Sequence, residues 1–296
     1  LPLVHSLGQG DQQSGFLYTA MIFGGIAIFF LLLSFANVKE SIHVQNERMT
    51  LSRAWTSLRH NRPWFVFAVN IFLMWGAFFF QTGALVYFFN YYVGGPNITA
   101  VAAGISTFVP LLGTLTVPFM AARMKKRHVY LFSCAINLAG MVIMIFSGSA
   151  ISGLLAGAII LSVGAGQRTA IYFSMQADPV DYGEWKTGIN TAGILTSING
   201  FLGKVAMAGA GAISGILLSA GGYVANHAQN PHALLAIKAC YLYIPAGLIL
   251  CSMFWIGRYY RLDDNYEKIK SELDKRKNND ATNSGQKVQP QTMNNL

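Results

Sequence analysis

Lys204 is the residue of this sequence that most clearly requires an interaction partner. It lies 14 residues beyond Asn190 in a glycine-rich apolar stretch, 190–220, which places it roughly 21 Å along a helix. At the centre of a membrane a charge costs about 2.5 kcal/mol or more unless it is paired or hydrated. No predicted membrane span contains Asp or Glu. The Lys204 ammonium therefore needs water, a substrate or a carboxylate from elsewhere; a structural lysine is the alternative.

The segment before that stretch is short and acidic. Residues 177–188, ADPVDYGEWKTG, carry three carboxylates and one lysine, and we predict that this acidic segment is a loop. Its carboxylates are expected to pair with the basic turn 122–127 or with a domain outside this chain. Exposed ion pairs contribute about 0 to 1 kcal/mol each, so such a gate opens easily; a solvated turn is the alternative. The candidate gate residues are Asp178, Asp181, Tyr182, Gly183, Glu184 and Lys186.

Two further polar side chains interrupt apolar spans. Arg168 lies eight residues before Gln176, which puts its Cα roughly 12 Å inside the end of a helix. It either faces a cavity or bonds to a carboxylate of the acidic segment, Asp181 or Glu184, and the sequence leaves both open. Gln81 is a candidate for a cavity wall or for a bond between helices, since polar side chains in hydrocarbon face other helices or water.

Composition places the chain in a membrane. Of its 296 residues, 53% are hydrophobic and 11% are charged, whereas soluble domains carry roughly 25% charged residues. Apolar runs of about 20 residues, long enough to cross a hydrocarbon core of ~30 Å, recur along most of the chain. We predict an all-α membrane protein with seven spans, at 16–36, 64–92, 99–121, 128–148, 151–175, 190–220 and 234–257.

The basic residues predict how the spans are oriented. They concentrate in the connection 37–63, the turn 122–127 and the tail 258–296, while the alternate connections have none. This bias is typical of the cytoplasmic side of a membrane. We therefore expect a cytoplasmic tail, a central cytoplasmic loop at 37–63 and an external connection at 1–15. Because the net charge of +9 follows this pattern, no nucleic-acid partner is expected.

The remaining reactive side chains show no site in the sequence. The three cysteines fall within spans, and the six histidines lie in loops or at span ends without metal-ligand spacing. Neither a disulfide framework nor a metal site is predicted. Away from their ends the spans hold no carboxylate or histidine to act as acid or base, which argues against a membrane enzyme. Because Leu1 falls on the predicted outer side with no signal sequence, we expect that an upstream portion is missing.

The acidic segment and the helix that follows it resemble a known family. The resemblance is to the glycoside-pentoside-hexuronide:cation symporters. It is carried by ADPVDYGEWKTG, by the helix with Lys204, and by Gly221-Gly222-Tyr223 and Ala225-Asn226. Lys39-Glu40 also sits where those proteins leave their sixth span. The resemblance implies a major facilitator superfamily helix bundle of twelve spans, of which this chain holds spans 6 to 12.

By this resemblance, the span 16–36 is the last of the amino-terminal half and 64–257 is the carboxyl-terminal six-helix half. The resemblance implies a secondary active symporter that couples Na⁺ or H⁺ to a glycoside, pentoside or hexuronide in a bacterial inner membrane. No cofactor beyond the coupling ion is implied. The expected partners are a small sugar, the lipid bilayer and the missing amino-terminal half.

The same resemblance assigns roles to single residues. Lys204 matches a lysine next to the sugar and cation sites, and Asn199 and Thr169 match positions that line the sugar pathway. The family's cation-binding aspartates lie in the first half, which this sequence does not contain. Arg168 together with Lys204 would form a cationic pocket that favours an anionic glycoside.

Two positions depart from the family pattern. Pro179 replaces the usual Thr or Val, and Asn190 stands where an arginine commonly follows the motif. The second departure puts in doubt any gate ion pair that the arginine would make. A non-transporting membrane remnant or partner subunit that lacks the first half is the alternative function.

Overall fold

The computed structural model describes residues 2–8, 11–37, 58–59, 61–189 and 191–283. Those residues are mostly helical and contain no β-strand, and seven of their helices are long and apolar enough to cross a membrane. The prediction of an all-α membrane protein with seven spans is confirmed. Asn190 and most of the connection 37–63 lie outside the described residues. The chain divides into two compact units, Leu1–Met49 and Thr50–Leu296.

The first unit holds one short helix and one helix of membrane length. Helix α1 spans Pro2–Gly8 and packs on α2, which spans Gln12–Asn37. Asp11 caps the start of α2, where the first backbone N–H groups have no partner within the helix. Its Oδ1 accepts from the backbone N–H of Gln13 at 3.1 Å and its Oδ2 from that of Ser14 at 3.3 Å. The predicted external connection 1–15 is therefore partly helical, and α2 begins four residues earlier than the predicted span.

The second unit contains the remaining six membrane-length helices. Its α-helices in the described range are α3 Arg62–Tyr87, α4 Pro96–Ala121, α5 Lys126–Phe146, α6 Ile151–Thr187, α7 Ala192–Ala220, α8 Pro231–Lys238, α9 Ile244–Tyr259 and α10 Tyr266–Asn283. A stretch of π-helix, Ala239–Tyr243, joins α8 to α9, so that these two form one span. The six spans follow the order predicted for 64–257.

Helices α5 and α6 approach each other most closely through glycine. A Cβ atom on Gly140 of α5 would lie 2.3 Å from the backbone nitrogen of Leu161, and Gly164 of α6 is equally tight against α5. Small residues allow membrane helices to approach this closely. The antiparallel hairpin predicted for 128–148 and 151–175 is confirmed.

We expect Gly140→Ala to lower the free energy of unfolding by about 1–3 kcal/mol, because the added methyl group forces the two backbones apart. Gly104→Ala in α4 is the matched control, since a Cβ there meets no atom within 4 Å. That change should be neutral or stabilising by about 0.5–1 kcal/mol, because alanine loses less conformational entropy in a helix. Denaturant unfolding in nanodiscs measures both, and equal effects would contradict the close approach.

Helix α6 extends through the whole acidic segment. It continues to Thr187 and ends where Gly188 adopts a φ of 71°, the left-handed conformation that commonly terminates helices. The prediction of a loop at 177–188 is wrong. The polar composition and Pro179 favoured a connection, but tertiary contacts of the segment hold it in a helix, as such contacts often override local preference.

Candidate functional site

Lys204 lies on an open face of α7. Gly193, Gly200, Gly211 and Gly215 share this face at helical spacing, and all are exposed, as is Lys204. A Cβ added to any of these glycines would meet no atom within 4 Å. Lys204 is also the one charged residue of α7. The described bundle α3–α9 therefore leaves uncovered a face of small residues with a cation near its middle.

The opposite face of α7 packs against α3. Its buried residues are Leu195, Asn199, Ala206 and Ala210. The side-chain oxygen of Asn199 accepts a hydrogen bond from the indole Nε1 of Trp64 in α3 at 3.2 Å. Asn199, which we expected to line the sugar pathway, thus lies on the face away from Lys204 and joins α7 to α3.

Arg168 is enclosed within the bundle, with 2% of its surface exposed. Its Nη1 donates to the side-chain oxygen of Asn137 in α5 at 3.3 Å, and its Nε has no partner among the described residues. Both predicted alternatives, a cavity-facing arginine and one bonded to Asp181 or Glu184, are wrong. The guanidinium instead bonds from α6 to Asn137 of α5 inside the bundle. Arg168 is buried and Lys204 exposed, so the two do not form the expected cationic pocket here.

Thr169 and Gln81 remain partly available for bonding. Thr169 is half-buried, and its hydroxyl donates to the carbonyl oxygen of Ala165 at 2.9 Å, which leaves the oxygen free to accept. Gln81 is 9% exposed, and its Nε2 has no partner in the described part of the chain. A buried donor without a partner is costly. Gln81 is therefore a position where an acceptor from outside the described residues would stabilise the protein.

A buried polar cluster that we did not predict joins α3, α5 and α9. The side-chain oxygen of Asn70 accepts hydrogen bonds from the hydroxyls of Tyr130 at 3.1 Å and Ser252 at 2.6 Å. All three residues are buried. Asn70 in an apolar span was the available signal, since such polar residues commonly bond between membrane helices.

The first carboxylate of the acidic segment is buried rather than exposed. Asp178 has 0% of its surface exposed; its Oδ1 accepts from the Lys126 ammonium at 2.6 Å and its Oδ2 from the Tyr260 hydroxyl at 3.0 Å. Lys126 belongs to the basic turn that we expected as a partner. The Asp178 carboxylate is buried and the Lys126 side chain is 26% exposed. The pair is therefore not the fully exposed, easily opened bridge that we predicted.

Helix α10 docks on the end of α6 through the acidic segment. The Tyr266 hydroxyl donates to Oδ2 of Asp181 at 2.6 Å, and the Trp185 indole donates to Oε2 of Glu272 at 2.6 Å. Burial, together with the hydrogen bond to Asp181, raises the pKa of the Tyr266 phenol, so it remains a donor at neutral pH. Ile269 of α10 is buried in the core. The segment after α9 is thus partly integrated into the bundle.

Replacing Trp185 by Phe should weaken the contact between α10 and α6, because it removes the indole N–H that donates a hydrogen bond to the Glu272 carboxylate. The loss of about 1 kcal/mol corresponds to a roughly fivefold increase in the hydrogen exchange rate of α10 amides. Exchange measured by mass spectrometry checks this. Trp64→Phe is the control. It also removes an indole hydrogen bond, but one that joins α3 to α7 and does not involve α10. Unchanged exchange in α10 of Trp185→Phe would contradict the docking role.

Gly183 has a packing role within the acidic segment. A Cβ at this position would lie 2.9 Å from the side-chain nitrogen of Asn61, which donates to the carbonyl oxygen of Pro179 at 2.6 Å. The Asn61 oxygen also accepts from the backbone N–H of Trp64 at 3.0 Å and thereby caps α3. Asn61, which no pattern in the sequence singled out, thus ties the start of α3 to the end of α6.

The other candidate gate residues lie along the same end of α6. The Tyr182 ring centroid is 5.9 Å from that of Trp185, and the Lys186 ammonium lies 5.6 Å from the Tyr182 centroid. The carbonyl oxygen of Glu184 accepts from the backbone N–H of Gly188 at 2.8 Å. These contacts make the acidic segment an ordered helix end.

The open face of α7 suits ligand binding. An exposed ammonium offers three donors to hydroxyl or carboxylate oxygens, and small neighbours let a ligand or another helix approach the backbone. In the ranges that the structure describes, no three His, Cys, Asp or Glu side chains form a group that could hold a metal ion.

A family model described as MFS/sugar transport protein matches residues 1–264. The chain belongs to this family. The major facilitator fold and the resemblance to glycoside-pentoside-hexuronide:cation symporters are thereby confirmed, and the family is one of transporters rather than enzymes. With its seven membrane-length helices, this member of the MFS/sugar transport family is a multi-pass membrane protein.

Two curated relatives show how much of such a protein the chain represents. It is 32% identical to the isoprimeverose transporter of Lactiplantibacillus pentosus over 283 residues, 93% of this chain and 58% of the relative. It is 24% identical to the glucuronide carrier protein homolog of Escherichia coli over 255 residues, 86% of this chain and 55% of the relative. The chain therefore spans a little over half the length of these members of the MFS/sugar transport family.

Proposed function

We propose that this chain is the carboxyl-terminal part of a sugar:cation symporter. One observation carries the proposal: Lys204 is an exposed cation near the middle of a membrane-length helix, on a face of small residues. It makes no hydrogen bond or ion pair with another residue of the described ranges. Such a charge in a membrane is typical of a substrate or ion pathway, and the chain belongs to a family of sugar transport proteins.

The substrate that we propose is a glycoside, pentoside or hexuronide. The names of the two relatives, an isoprimeverose transporter and a glucuronide carrier homolog, support a carbohydrate. Lys204 would donate hydrogen bonds to sugar hydroxyls and a stronger, charge-assisted bond to a carboxylate. Because Arg168 is enclosed by α5 and α6, a preference for an anionic sugar now depends on Lys204 alone.

The coupling ion, Na⁺ or H⁺, is proposed to bind on a segment outside this chain. The open face of α7 is then the surface that meets the missing half, and the two halves rock about a site near the midplane. The basic residues of the turn 122–127 and of the tail 258–296 support a cytoplasmic location for these segments in a bacterial inner membrane. Thr169 and Gln81 are proposed to bind substrate from α6 and α3.

The acidic segment is proposed to lie at the cytoplasmic gate as a rigid part of the moving half. Its buried Asp178 pair and its contacts to α10 support movement of α5, α6 and α10 as one body. The bonds that open and close in each cycle would then be made by groups facing the missing half rather than by Asp178.

The test is uptake of a labelled glucuronide and of a neutral labelled xyloside by cells. One culture produces this chain alone, and another also produces the segment of the isoprimeverose transporter that precedes its match to this chain. We expect uptake only in the second culture, with a dependence on Na⁺ or on the proton gradient. Uptake by the chain alone would contradict the need for a missing half. Absence of uptake in both would support the non-transporting partner or remnant.

A further inference from the structure

A cavity of about 710 Å³ opens at the end of the bundle where α3 begins and where α6 and α9 end. It lies apart from Lys204 and is bounded on one side by α10. Four basic side chains line it: Arg62, Arg258, Arg261 and Lys268. No Asp or Glu is among the residues that line it. The cavity is thus a concave, cationic site of the volume that small-molecule ligands occupy.

The carboxylates of nearby segments are engaged elsewhere. Asp263 accepts the backbone N–H of Arg127 at 2.6 Å, and Asp264 accepts the Lys125 ammonium at 2.5 Å. Glu272 accepts the Trp185 indole. None of the four basic residues that line the cavity forms an ion pair with a carboxylate of the described residues. Asp264 interacts electrostatically with Arg261, but its carboxylate bonds to Lys125, so the cavity keeps a net positive charge.

The location of the cavity also indicates the depth of its ligand. Tyr182, Trp185 and Tyr259 line it beside the basic residues. Tyr and Trp are enriched at the level of lipid headgroups, where membrane helices begin and end. Basic pockets between membrane helices on the cytoplasmic side bind phosphate-bearing headgroups. The cytoplasmic location of this end rests on the proposed function and its topology. The charge and shape of the cavity are independent of that topology.

We propose that this cavity binds a phosphate-bearing anion. Arg258 and Arg261 present planar guanidinium groups that bond phosphate oxygens in pairs, and Lys268 of α10 adds a point charge from the opposite wall. The source of the phosphate is either the headgroup of an anionic phospholipid or a soluble phosphate compound. Since the cavity is lined by α3, α6, α9 and α10 together, an anion held there would strengthen the docking of α10.

The test uses the full chain purified in nanodiscs, without any sugar or second half. In the lipid arm, native mass spectrometry counts cardiolipin or phosphatidylglycerol retained from mixed nanodiscs. In the soluble arm, inorganic pyrophosphate is titrated by calorimetry into phosphatidylcholine nanodiscs. The variants are Arg258→Gln/Arg261→Gln and, separately, Lys268→Gln. Arg123→Gln/Lys270→Gln is the control. Both residues are exposed and do not line the cavity, and this change removes the same total charge as the double arginine variant.

We expect the wild-type chain to bind one phosphate-bearing probe and the double arginine variant to bind it about tenfold more weakly or worse. Lys268→Gln should weaken binding less, and the control variant less than twofold. Binding in the lipid arm alone assigns the site to headgroups, and binding of pyrophosphate assigns it to soluble phosphate compounds. Equal affinities of the double arginine variant and the control, or no binding of either probe by the wild type, would overturn the proposal. Sugar uptake does not enter the test, so the proposed function can fail independently.

Discussion

Lys204→Ala is expected to reduce sugar uptake by roughly ten- to hundredfold, which is the loss of one or two charge-assisted hydrogen bonds to substrate. The same change should leave the chain as stable as before or more stable. An ammonium near the centre of a hydrophobic helix costs free energy, and Lys204 makes no hydrogen bond or ion pair within the described residues that its removal would break. Two measurements check this: uptake into cells that also produce the proposed amino-terminal segment, and thermal unfolding of the purified chain in nanodiscs.

The combination of lost uptake with preserved stability distinguishes a functional lysine from a structural one. Lys238→Gln is the matched control: this lysine also lies in a span, but its ammonium donates to the Tyr92 hydroxyl at 3.2 Å and lies 4.7 Å from that ring. The control should retain uptake. If Lys204→Ala lowered the unfolding temperature and left uptake unchanged, the assignment of Lys204 to the transport site would be wrong.

Asp178→Ala is expected to lower the free energy of unfolding by about 2–4 kcal/mol, because it leaves the buried Tyr260 hydroxyl without its acceptor and the Lys126 ammonium without its ion pair. The Lys126 side chain is 26% exposed, so water offsets part of the second loss. The double change Lys126→Met/Asp178→Leu should recover the part of this loss that comes from Lys126, since apolar side chains of similar volume often replace an ion pair without cost. Denaturant unfolding of wild type, Lys126→Met, Asp178→Leu and the double variant in nanodiscs measures the coupling.

The neighbouring ion pair between Lys125 and Asp264 provides the control for that cycle. Its ammonium and carboxylate oxygen are 2.5 Å apart, but the side chains are 53% and 48% exposed. Asp264→Ala should therefore leave stability nearly unchanged, because exposed pairs are screened by water and salt. Equal losses for Asp178→Ala and Asp264→Ala would show that burial does not set the strength of the Asp178 pair.

These two predictions assign separate roles to the two conspicuous parts of the sequence. Lys204 is proposed to contact the transported substrate, whereas Asp178 stabilises the end of the helix bundle at which α6 ends. A loss of uptake in Asp178→Ala would then follow from a fall in folded protein, and uptake per folded molecule is the quantity to compare.

The sequence by itself determined the number of spans, their helical nature and the family. Apolar runs of membrane length are a local property of the chain, because every backbone group of a spanning segment must bond within its own helix. The family could also be identified from a local property, because the motif ADPVDYGEWKTG and Lys204 lie close together in the chain.

Only the tertiary structure decided what the other polar residues contact. Asp178 contacts Lys126 and Tyr260, residues 52 and 82 positions away in the chain. The charge pattern predicted a partner in the turn 122–127, but neither the bond to Tyr260 nor the burial of the carboxylate. The acidic segment is a helix rather than a loop because those distant partners bury its first carboxylate. Arg168 of α6 is buried and bonds to Asn137 of α5, and Asn199 bonds to Trp64 of α3 on the face of α7 away from Lys204. Burial depends on which helix faces pack together, and that arrangement is set by all the helices at once.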